Sequence, residues 1–483
     1  INMEGNKQKK QLEFYGGGWV SFLPFLFFVI IAIYISVLKA PDIKGMWVGA
    51  ITGLMITFFF AKDKIRYSEV IIEGMADKIA ITPVACWIFA GLFATILKST
   101  GLVEGITWAA YHVGAKGTLY VIITFFACAL FATATGTGFG TIIAGVSVLY
   151  PAGVLLGANP MVLLGTIVGG GAFGDNLAPV SDTTICSATS QGADVGGVVR
   201  SRLRYTIAAS IITLLFIIIF GGRGTEAVQA VPYEELSAYM NPKGLIMLIP
   251  AILTIYLAIK KGDIIYASTI GTVASLIVAG LAGLVTLDQL VSIEDGAVNG
   301  IIVNGIGGMI DICILALLVL ACVHIMQDGG GDKKLLGVAE KFVKTARGAE
   351  ASIAGLVIIM STIMGLNAPP ILAVGTSYAK PIGEKFKIHP YRRANLLDST
   401  ANTLVYSVPW STALLLTQTL TKDVHAQFGD AIPIITADQL WPYVVYCWAM
   451  LAVMLFAIVS GWGRTYIDEN GNEVKTLPTT AKN

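Results

Sequence analysis

The chain has 483 residues, of which 55% are hydrophobic and only 13% are charged, and its mean hydropathy is +0.74. These values lie outside the range of soluble globular proteins and predict an all-α polytopic membrane protein. The formal net charge of +1 shows no excess of either sign, which argues against nucleic acid as a partner and leaves membrane lipid and small solutes.

Apolar segments long enough to cross about 30 Å of hydrocarbon recur along the chain. In chain order, the clear or plausible spans cover residues 19–38, 46–61, 79–97, 205–222, 244–259, 264–287 and 440–463. Together with the uncharged segments described below, they predict about ten transmembrane helices. All six cysteines fall in apolar segments without metal-ligand spacing, so neither a disulfide nor a structural zinc site is indicated.

Clusters of lysine and arginine predict which segments face the cytoplasm. The cationic segments, which we place inside, are 7–10, 62–66, 200–204, 260–261, 333–347, 380–393 and the tail after 464. The segments with acidic character or little charge, which we place outside, are 101–116, 222–243, 288–295 and 422–438. The two sets alternate, which predicts a bacterial inner-membrane protein with both termini in the cytoplasm.

Residues 351–379 are uncharged and lie between two cationic segments, so they should enter and leave the membrane on the same face. Two full crossings need about 40 residues, and this segment is too short for them. A re-entrant helical hairpin with its tip near 365–370 fits the length. Irregular backbone of this kind is tolerated only where it is buried in protein or lines a cavity, which suggests a transport pathway.

The second half of the chain repeats the first at a constant spacing of 230 residues. Identical residues occur at Gly145/Gly375, Ser147/Ser377, Pro151/Pro381, Gly153/Gly383, Pro160/Pro390, Pro179/Pro409 and Ser181/Ser411. Because proline is scarce in this chain, the three proline pairs favour an internal repeat over coincidence. The two repeats have opposite predicted sidedness, and inverted repeats with broken helices are typical of secondary transporters.

The repeat predicts five segments along the chain. They are an N-terminal segment with the first span (1–45), inverted repeat 1 (46–222), an outer loop with a linking span (223–263), inverted repeat 2 (264–463) and a cytoplasmic tail (464–483). Each repeat contains one hairpin and one broken helix, which we expect at 117–156 and 161–193 in the first repeat and at 351–379 and 394–421 in the second.

Polar residues concentrate where the first repeat is expected to break. Residues 169–184 begin with three glycines, which loosen a helix, and include Pro179, which removes an amide donor and frees carbonyl groups. A carboxylate inside a span costs about 2.5 to 3.5 kcal/mol, and such residues usually face a cavity. The candidate ligands for sodium or a proton are the oxygen-bearing side chains of Asp175, Asn176, Ser181, Asp182 and Thr183.

The second break, in residues 397–412, offers hydroxyls, an amide and two aromatic rings. The hairpin tips at 133–138 and 365–370 are polar or helix-breaking, and we expect both to point at the same centre. The candidate substrate or pathway residues are Thr135, Thr137, Asn367, Asp398, Asn402, Thr403, Tyr406, Ser407, Trp410 and Ser411, with Asp311 as a further intramembrane carboxylate. Because Asp398 lies about two turns before its break, we expect it to contribute less than Asp175 and Asp182.

The first break carries a resemblance to a known family. Residues 174–184 read Gly-Asp-Asn-Leu-Ala-Pro-Val-Ser-Asp-Thr-Thr, which resembles the Gly-Asp-x-x-Ser-Pro-x-Ser-Asp-Thr signature of the NhaC-type sodium/proton antiporters, with Ala178 in place of the serine before proline. The similarity in length and segment order covers about residues 46–463. It implies an ion transporter superfamily fold with a scaffold domain, a transport domain with two re-entrant hairpins and elevator-like movement. It also leads us to expect a homodimer.

Two transport functions remain open. A sodium/proton antiporter needs only a carboxylate pair that holds either a sodium ion or protons. A sodium- or proton-coupled carrier of an organic acid or amino acid also needs room for a solute, which the second break with Tyr406 and Trp410 would provide. No enzymatic activity and no cofactor are expected, since an intramembrane aspartyl protease needs Gly-x-Gly-Asp and Ala172 stands at the first glycine.

The charge map predicts opposite faces for the segments around Glu235 and Lys385. In intact cells, a membrane-impermeant thiol reagent should label a Glu235→Cys variant and leave a Lys385→Cys variant unlabelled until the cells are permeabilised. The reverse labelling pattern would show that the predicted topology is wrong.

Overall fold

The computed structural model describes residues 11–37, 43–222, 240–261, 263–294, 296–364, 366–468 and 472–476. Some of the sequence predictions fall outside these described residues. They are the N-terminal lysines at 7–10, most of the acidic outer loop at 223–239, Gly365 in the second hairpin tip, and the greater part of the C-terminal tail.

The described residues are mostly helical. In the first half the helices are α1 (Leu23–Val37), α2 (Ile43–Phe60), α3 (Lys64–Ala76), α4 (Lys78–Ser99), α5 (Leu102–His112), α6 (Thr118–Thr135), α7 (Gly138–Ala144), α8 (Tyr150–Leu155), α9 (Pro160–Leu177), α10 (Asp182–Gln191) and α11 (Val195–Phe220). In the second half they are α12 (Leu248–Lys261), α13 (Ile264–Leu281), α14 (Leu287–Leu290), α15 (Ile301–Gly307), α16 (Ile310–Asp328), α17 (Gly331–Phe342), α18 (Ala346–Met364), α19 (Ala368–Val374), α20 (Lys380–Lys385), α21 (Pro390–Ser407), α22 (Thr412–Phe428), α23 (Ala437–Leu440) and α24 (Val445–Ser460).

Two short antiparallel ribbons accompany the helices. β1 (Ser292–Glu294) pairs with β2 (Ala297–Asn299), and β3 (Tyr466–Ile467) pairs with β4 (Glu473–Val474). The residues of β2 are exposed and those of β3 are half-buried. The packed interior of the described chain is therefore helical.

Element boundaries recur at the 230-residue spacing. α7 and α19 begin 230 residues apart, and each is followed by a π-helical turn, Gly145–Leu149 and Gly375–Ala379. α9 and α21 both begin and end 230 residues apart. Pro160 and Pro390 open these two helices because proline fixes φ at a helical value and its missing N–H would be unpaired at this position in any case.

The segments predicted as hairpins each form two helical arms. The first arm of the first pair, α6, ends at Gly136, whose φ of 71° is left-handed. A Cβ there would lie 2.6 Å from the Val180 carbonyl oxygen, so only glycine fits this turn. In the second pair, α18 begins at Ala346 and α20 ends at Lys385, both beyond the predicted limits of 351 and 379. The prediction stopped at charged residues, but some of these are buried in pairs within the helices.

Five helices among the described residues are long and apolar enough to cross a membrane, or six if one bent pair is counted as a single span. The five are Ala80–Ser99, Thr118–Thr135, Pro160–Gln191, Val195–Phe220 and Ile264–Ala282, and the bent pair is Ala437–Tyr443 with Val445–Ser460. Shorter apolar helices occur at Val20–Ile31, Lys44–Phe60, Pro242–Ala258 and Cys313–Asp328. The total of about ten transmembrane helices stays a prediction.

A buried ion cluster joins the second hairpin to its broken helix. The fully buried carboxylate of Glu350 on α18 accepts hydrogen bonds from Arg392 Nε at 2.8 Å and Nη2 at 2.9 Å, and from Arg464 Nη2 at 2.7 Å. Arg392, on α21, also donates to the Tyr205 hydroxyl on α11 at 2.6 Å. Buried charges are tolerated when they are paired and hydrogen-bonded in this way, so the cluster fixes the relative positions of three helices.

Glu350→Gln should strongly destabilise the protein, because it leaves Arg392 and Arg464 without their shared counter-charge. Removing one partner of a buried ion pair costs about 3 to 5 kcal/mol. Thermal unfolding of the detergent-purified variant, followed by tryptophan fluorescence, would measure the loss.

Glu384→Gln is the matched control, because Glu384 is half exposed and its carboxylate lies 3.7 Å from Arg393 Nη1. Exposed pairs contribute about 0 to 1 kcal/mol, so this variant should melt close to the parent protein. Equal melting temperatures for the two variants would contradict the role of the Glu350 cluster.

Candidate functional site

The two predicted breaks are present as extended linkers between helices. The first separates α9 from α10, and its residues Ala178 and Ser181 have ψ angles of 122° and 141°. The second separates α21 from α22, and Val408 and Ser411 have ψ angles of 146° and 148°. An extended backbone cannot continue the helical hydrogen-bond ladder, so carbonyl and amide groups near each break are free for other partners.

Asp175 lies at the end of α9 and is held by groups from three other elements. Its Oδ1 accepts a hydrogen bond from the Gly138 amide of α7 at 2.9 Å and from the Ser181 hydroxyl at 3.4 Å. Its Oδ2 accepts from the Tyr406 hydroxyl of α21 and from Asn367 Nδ2 at 3.4 Å. The first residue of α7, the residue that caps α19 and the second broken helix therefore all converge on this carboxylate.

Asp182 begins α10 on the other side of the break. Its Oδ1 accepts from its neighbour's amide, Thr183 N, at 2.7 Å and from the Ser181 hydroxyl at 3.5 Å. The Thr183 and Thr184 hydroxyls each donate to the Asp175 backbone carbonyl at 3.3 Å. The predicted cation ligands of the first break thus lie together, with hydroxyl and carbonyl oxygens between the two carboxylates.

Asp398 does not stand apart from this centre, so that expectation is wrong. The prediction placed its break near Pro409, but α21 already departs from helical geometry at Asn402, whose ψ is 15°. Asn402 Nδ2 donates to Asp398 Oδ1 at 2.7 Å and to Asn176 Oδ1 at 3.2 Å. Asn367 Nδ2 donates in turn to Asn402 Oδ1 at 2.6 Å. A continuous polar network therefore links Asp398 to the first break.

Both break carboxylates face one cavity of about 440 Å³. Its lining includes Asp175 and Asp182 together with four other residues from the predicted pathway set, which are Thr135, Thr137, Asn367 and Asp311. Apolar side chains, among them those of Trp87 and Met309, form much of the remaining wall. Asp311 also pairs with Lys44 at 3.7 Å, and its carbonyl accepts from the Trp47 indole at 3.0 Å.

The carboxylates of the site differ in their ionic partners. Asp398 forms a fully buried ion pair with Arg202 of α11. Within the described part of the chain, no lysine, arginine or histidine pairs with Asp175 or Asp182. Two carboxylates without a cationic partner in a mostly apolar cavity favour the uptake of a cation or protons.

Several predicted pathway residues have hydrogen bonds within their own helices. Thr403 Oγ1 donates to the Thr400 carbonyl at 2.6 Å, Ser407 Oγ donates to the Thr403 carbonyl at 3.0 Å, and Ser411 Oγ caps α22 by accepting from Leu414 N at 3.2 Å. Trp410 is 55% exposed and does not line the cavity. These contacts support the broken helix rather than the cavity surface.

Sequence reasoning missed Arg202. The sequence map assigns residues 200–204 to a cationic inside loop, but these residues lie within α11, and Arg202 is fully buried. The neighbouring Arg200 and Arg204 are exposed. The available signal was the spacing along the helix, because residues two positions apart point to different faces and Arg202 need not share the environment of its neighbours.

Within the described ranges, no group of three or more His, Cys, Asp or Glu side chains is placed to hold a metal ion. A monovalent ion at the break would therefore take hydroxyl, amide and carbonyl oxygens in addition to carboxylate. Those are the groups that surround Asp175 and Asp182.

Two solved structures share this fold. The crystal structure of the Alcanivorax borkumensis YdaH transporter matches with a TM-score of 0.59 and 13% identity, over 91% of this chain and 99% of that chain. Neisseria gonorrhoeae MtrF, described as illuminating a class of antimetabolite efflux pumps, matches with a TM-score of 0.56 and 11% identity, over 91% of this chain and 96% of that chain. The chain therefore has the fold of a membrane transporter.

Three curated relatives resemble the sequence. The Malate-2H(+)/Na(+)-lactate antiporter of Bacillus subtilis is 27% identical over 263 residues, which are 51% of this chain and 56% of the relative. An uncharacterized Na(+)/H(+) antiporter of Haemophilus influenzae is 23% identical over 430 residues, 81% of this chain and 85% of the relative. The Na(+)/H(+) antiporter NhaC of Alkalihalophilus pseudofirmus is 26% identical over 212 residues, 43% of this chain and 45% of the relative. The chain spans about half the length of the first and third relatives.

The sequence profile of the Na+/H+ antiporter family covers nearly the whole chain, with matches over residues 17–222 and 232–462. The resemblance seen in the motif at 174–184 is confirmed by this match and by the relatives. The chain belongs to the Na+/H+ antiporter family.

Proposed function

We propose that this protein is a sodium/proton antiporter whose exchange site is formed by Asp175 and Asp182, with Asn176, Ser181 and Thr183. The observation that carries the proposal is the pair of carboxylates that share one cavity and have no cationic partner among the described residues. Sodium and protons are the substrates that such a pair can hold in exchange. Membership of the Na+/H+ antiporter family supports the same pair of substrates.

Competition for the same oxygens would couple the two ions. A sodium ion at the break needs both carboxylates deprotonated, and a proton on either one removes charge that attracts sodium. The backbone carbonyl of Asp175 and the hydroxyls of Ser181 and Thr183 would complete the ligand set, since they lie between the two carboxylates. Sodium affinity should therefore fall as the pH falls.

The transport cycle we propose is alternating access by an elevator-type movement of a transport domain against a scaffold domain. The recurrence of α7, α9, α19 and α21 at one spacing supports two repeats, and their opposite charge pattern supports inversion. The converging hairpin tips and broken helices would belong to the transport domain. A homodimer in the bacterial inner membrane, with both termini cytoplasmic, is part of this proposal.

A second candidate function is a sodium- or proton-coupled carrier of an organic acid or amino acid. The cavity of about 440 Å³ favours it, because pockets of roughly 300 to 1,000 Å³ hold small organic ligands whereas a sodium ion needs far less room. Similarity to the malate/lactate antiporter of Bacillus subtilis points in the same direction. Calorimetric titration of malate and lactate, with and without sodium, would decide: sodium-dependent binding of either acid favours the carrier.

Asp175→Asn and Asp182→Asn should each weaken sodium binding and remove most of its pH dependence. Each change keeps the side-chain shape but removes one full charge and one proton-accepting group. We expect a loss of at least about tenfold in affinity, as each 1.4 kcal/mol of lost attraction is a factor of ten. Isothermal titration of sodium into detergent-purified protein at several pH values is the measurement.

Asp311→Asn is the matched control, because it also removes a carboxylate from the cavity lining, but one that pairs with Lys44. Its sodium affinity should stay within about threefold of the parent, since exposed pairs contribute about 0 to 1 kcal/mol. If both break variants kept the affinity and pH dependence of the parent protein, the site assignment would be wrong.

A further inference from the structure

Arg202 lies beside the proposed exchange site and is completely enclosed. The guanidinium contacts five oxygen-bearing groups, which are the Asn176 carbonyl, the Thr184 and Ser187 hydroxyls, the Asn395 side-chain oxygen and the Asp398 carboxylate. Carboxylate, carbonyl, amide and hydroxyl oxygens are the ligands that hard cations take in proteins. The guanidinium therefore occupies a position with the chemistry of a second cation site.

The oxygens of this position are already organised around one carboxylate oxygen. Asp398 Oδ2 accepts from the Thr184 hydroxyl at 3.1 Å and from the Ser187 hydroxyl at 3.3 Å, in addition to its pairing with Arg202. Both hydroxyls belong to α10, the helix that begins at Asp182. The second position is thus built from the same broken helix that carries the exchange site.

The two positions share the residue Asn176. Its carbonyl oxygen accepts from Arg202, and its side-chain oxygen accepts from Asn402, which also donates to Asp398. Asn402 in turn accepts from Asn367, whose Nδ2 reaches Asp175 at 3.4 Å. A change of occupancy at one position would therefore be transmitted to the other through two asparagine side chains.

We propose that Arg202 is a tethered cation that fills a second cation position, formed by Asp398, Thr184, Ser187 and the Asn176 carbonyl. It thereby limits the protein to one exchangeable cation, bound at Asp175 and Asp182. A guanidinium attached to α11 neutralises Asp398 without taking up sodium or a proton, and it cannot leave during transport. The inference rests on the proposed function, because the exchange site is the reference against which the second position is counted.

Arg202→Met should open the second position to sodium. The methionine keeps an apolar stem but supplies neither charge nor donors, so Asp398 would be a buried carboxylate without a counter-charge. Isothermal titration of sodium chloride into the purified full-length variant, with choline chloride holding the ionic strength, should give two sodium ions per chain against one in the parent. Measurement at alkaline pH keeps protons from occupying the carboxylates.

Two further variants separate this role from a merely structural one. Arg202→Lys keeps a tethered cation and should bind one sodium ion. Arg202→Met combined with Asp398→Asn removes the uncompensated carboxylate and should also return to one. One sodium ion per chain in Arg202→Met would overturn the proposal.

Folding behaviour gives a second readout. Arg202→Met should gain thermal stability with added sodium chloride more steeply than the parent protein. If Arg202→Met cannot be recovered folded at any sodium concentration while the double variant can, sodium does not replace the guanidinium and the proposal is wrong. Loss of folding in both would also contradict it, since the double variant removes the unpaired charge.

Failure of the proposed function would have a different signature. A parent protein that binds no sodium would refute the exchange site at Asp175 and Asp182. A single sodium ion that appears in Arg202→Met and disappears with Asp398→Asn would still support the second position.

Discussion

The cost of burying charge in an apolar interior is the constraint on which the rest of this structure depends. Three carboxylates and one guanidinium lie together at the centre of the fold, where an isolated ion would be prohibitively unfavourable. Broken helices make the arrangement possible, because the extended linkers after Leu177 and Ser407 leave backbone groups free to bind side chains. The hydrogen bonds around Asp175 and Asp398 follow from this requirement.

The two halves share a backbone pattern but not their chemistry. Asp175 and Asp182 correspond, at the 230-residue spacing, to Val405 and Thr412, so the first half supplies the carboxylates that face the cavity. The second half supplies Asp398, which is neutralised by Arg202. A symmetrical scaffold with one open and one occupied carboxylate position is consistent with a single exchange site between two similar broken helices.

Much of the architecture could be predicted from the sequence. Pro179, Pro409 and the glycines before Asp175 mark the breaks because each of these residue types disrupts a helix locally. The polar residues of residues 174–184 could be predicted to lie together for the same reason, since they are close in sequence. The similarity of this segment to a family signature led to the correct family.

Contacts between residues far apart in sequence could not be predicted. The kink at Asn402 follows no proline, and its side chain finds Asn176 and Asn367 only after the halves have packed. Arg202 was hidden among exposed arginines, because a positive charge is read as a loop signal until its partner is known. The pairing of Glu350 with Arg392 moved the hairpin limits for the same reason: composition records charge but not its neutralisation.

Sodium-driven proton movement in proteoliposomes tests the central claim most directly. With the purified protein in vesicles that enclose a pH-sensitive dye, an inward sodium gradient should make the lumen alkaline, as protons leave in exchange for sodium. The response should need no organic solute and should be absent when Asp175 and Asp182 are both replaced by asparagine. A proton flux that requires malate, lactate or an amino acid, or that persists in the double variant, would contradict the account.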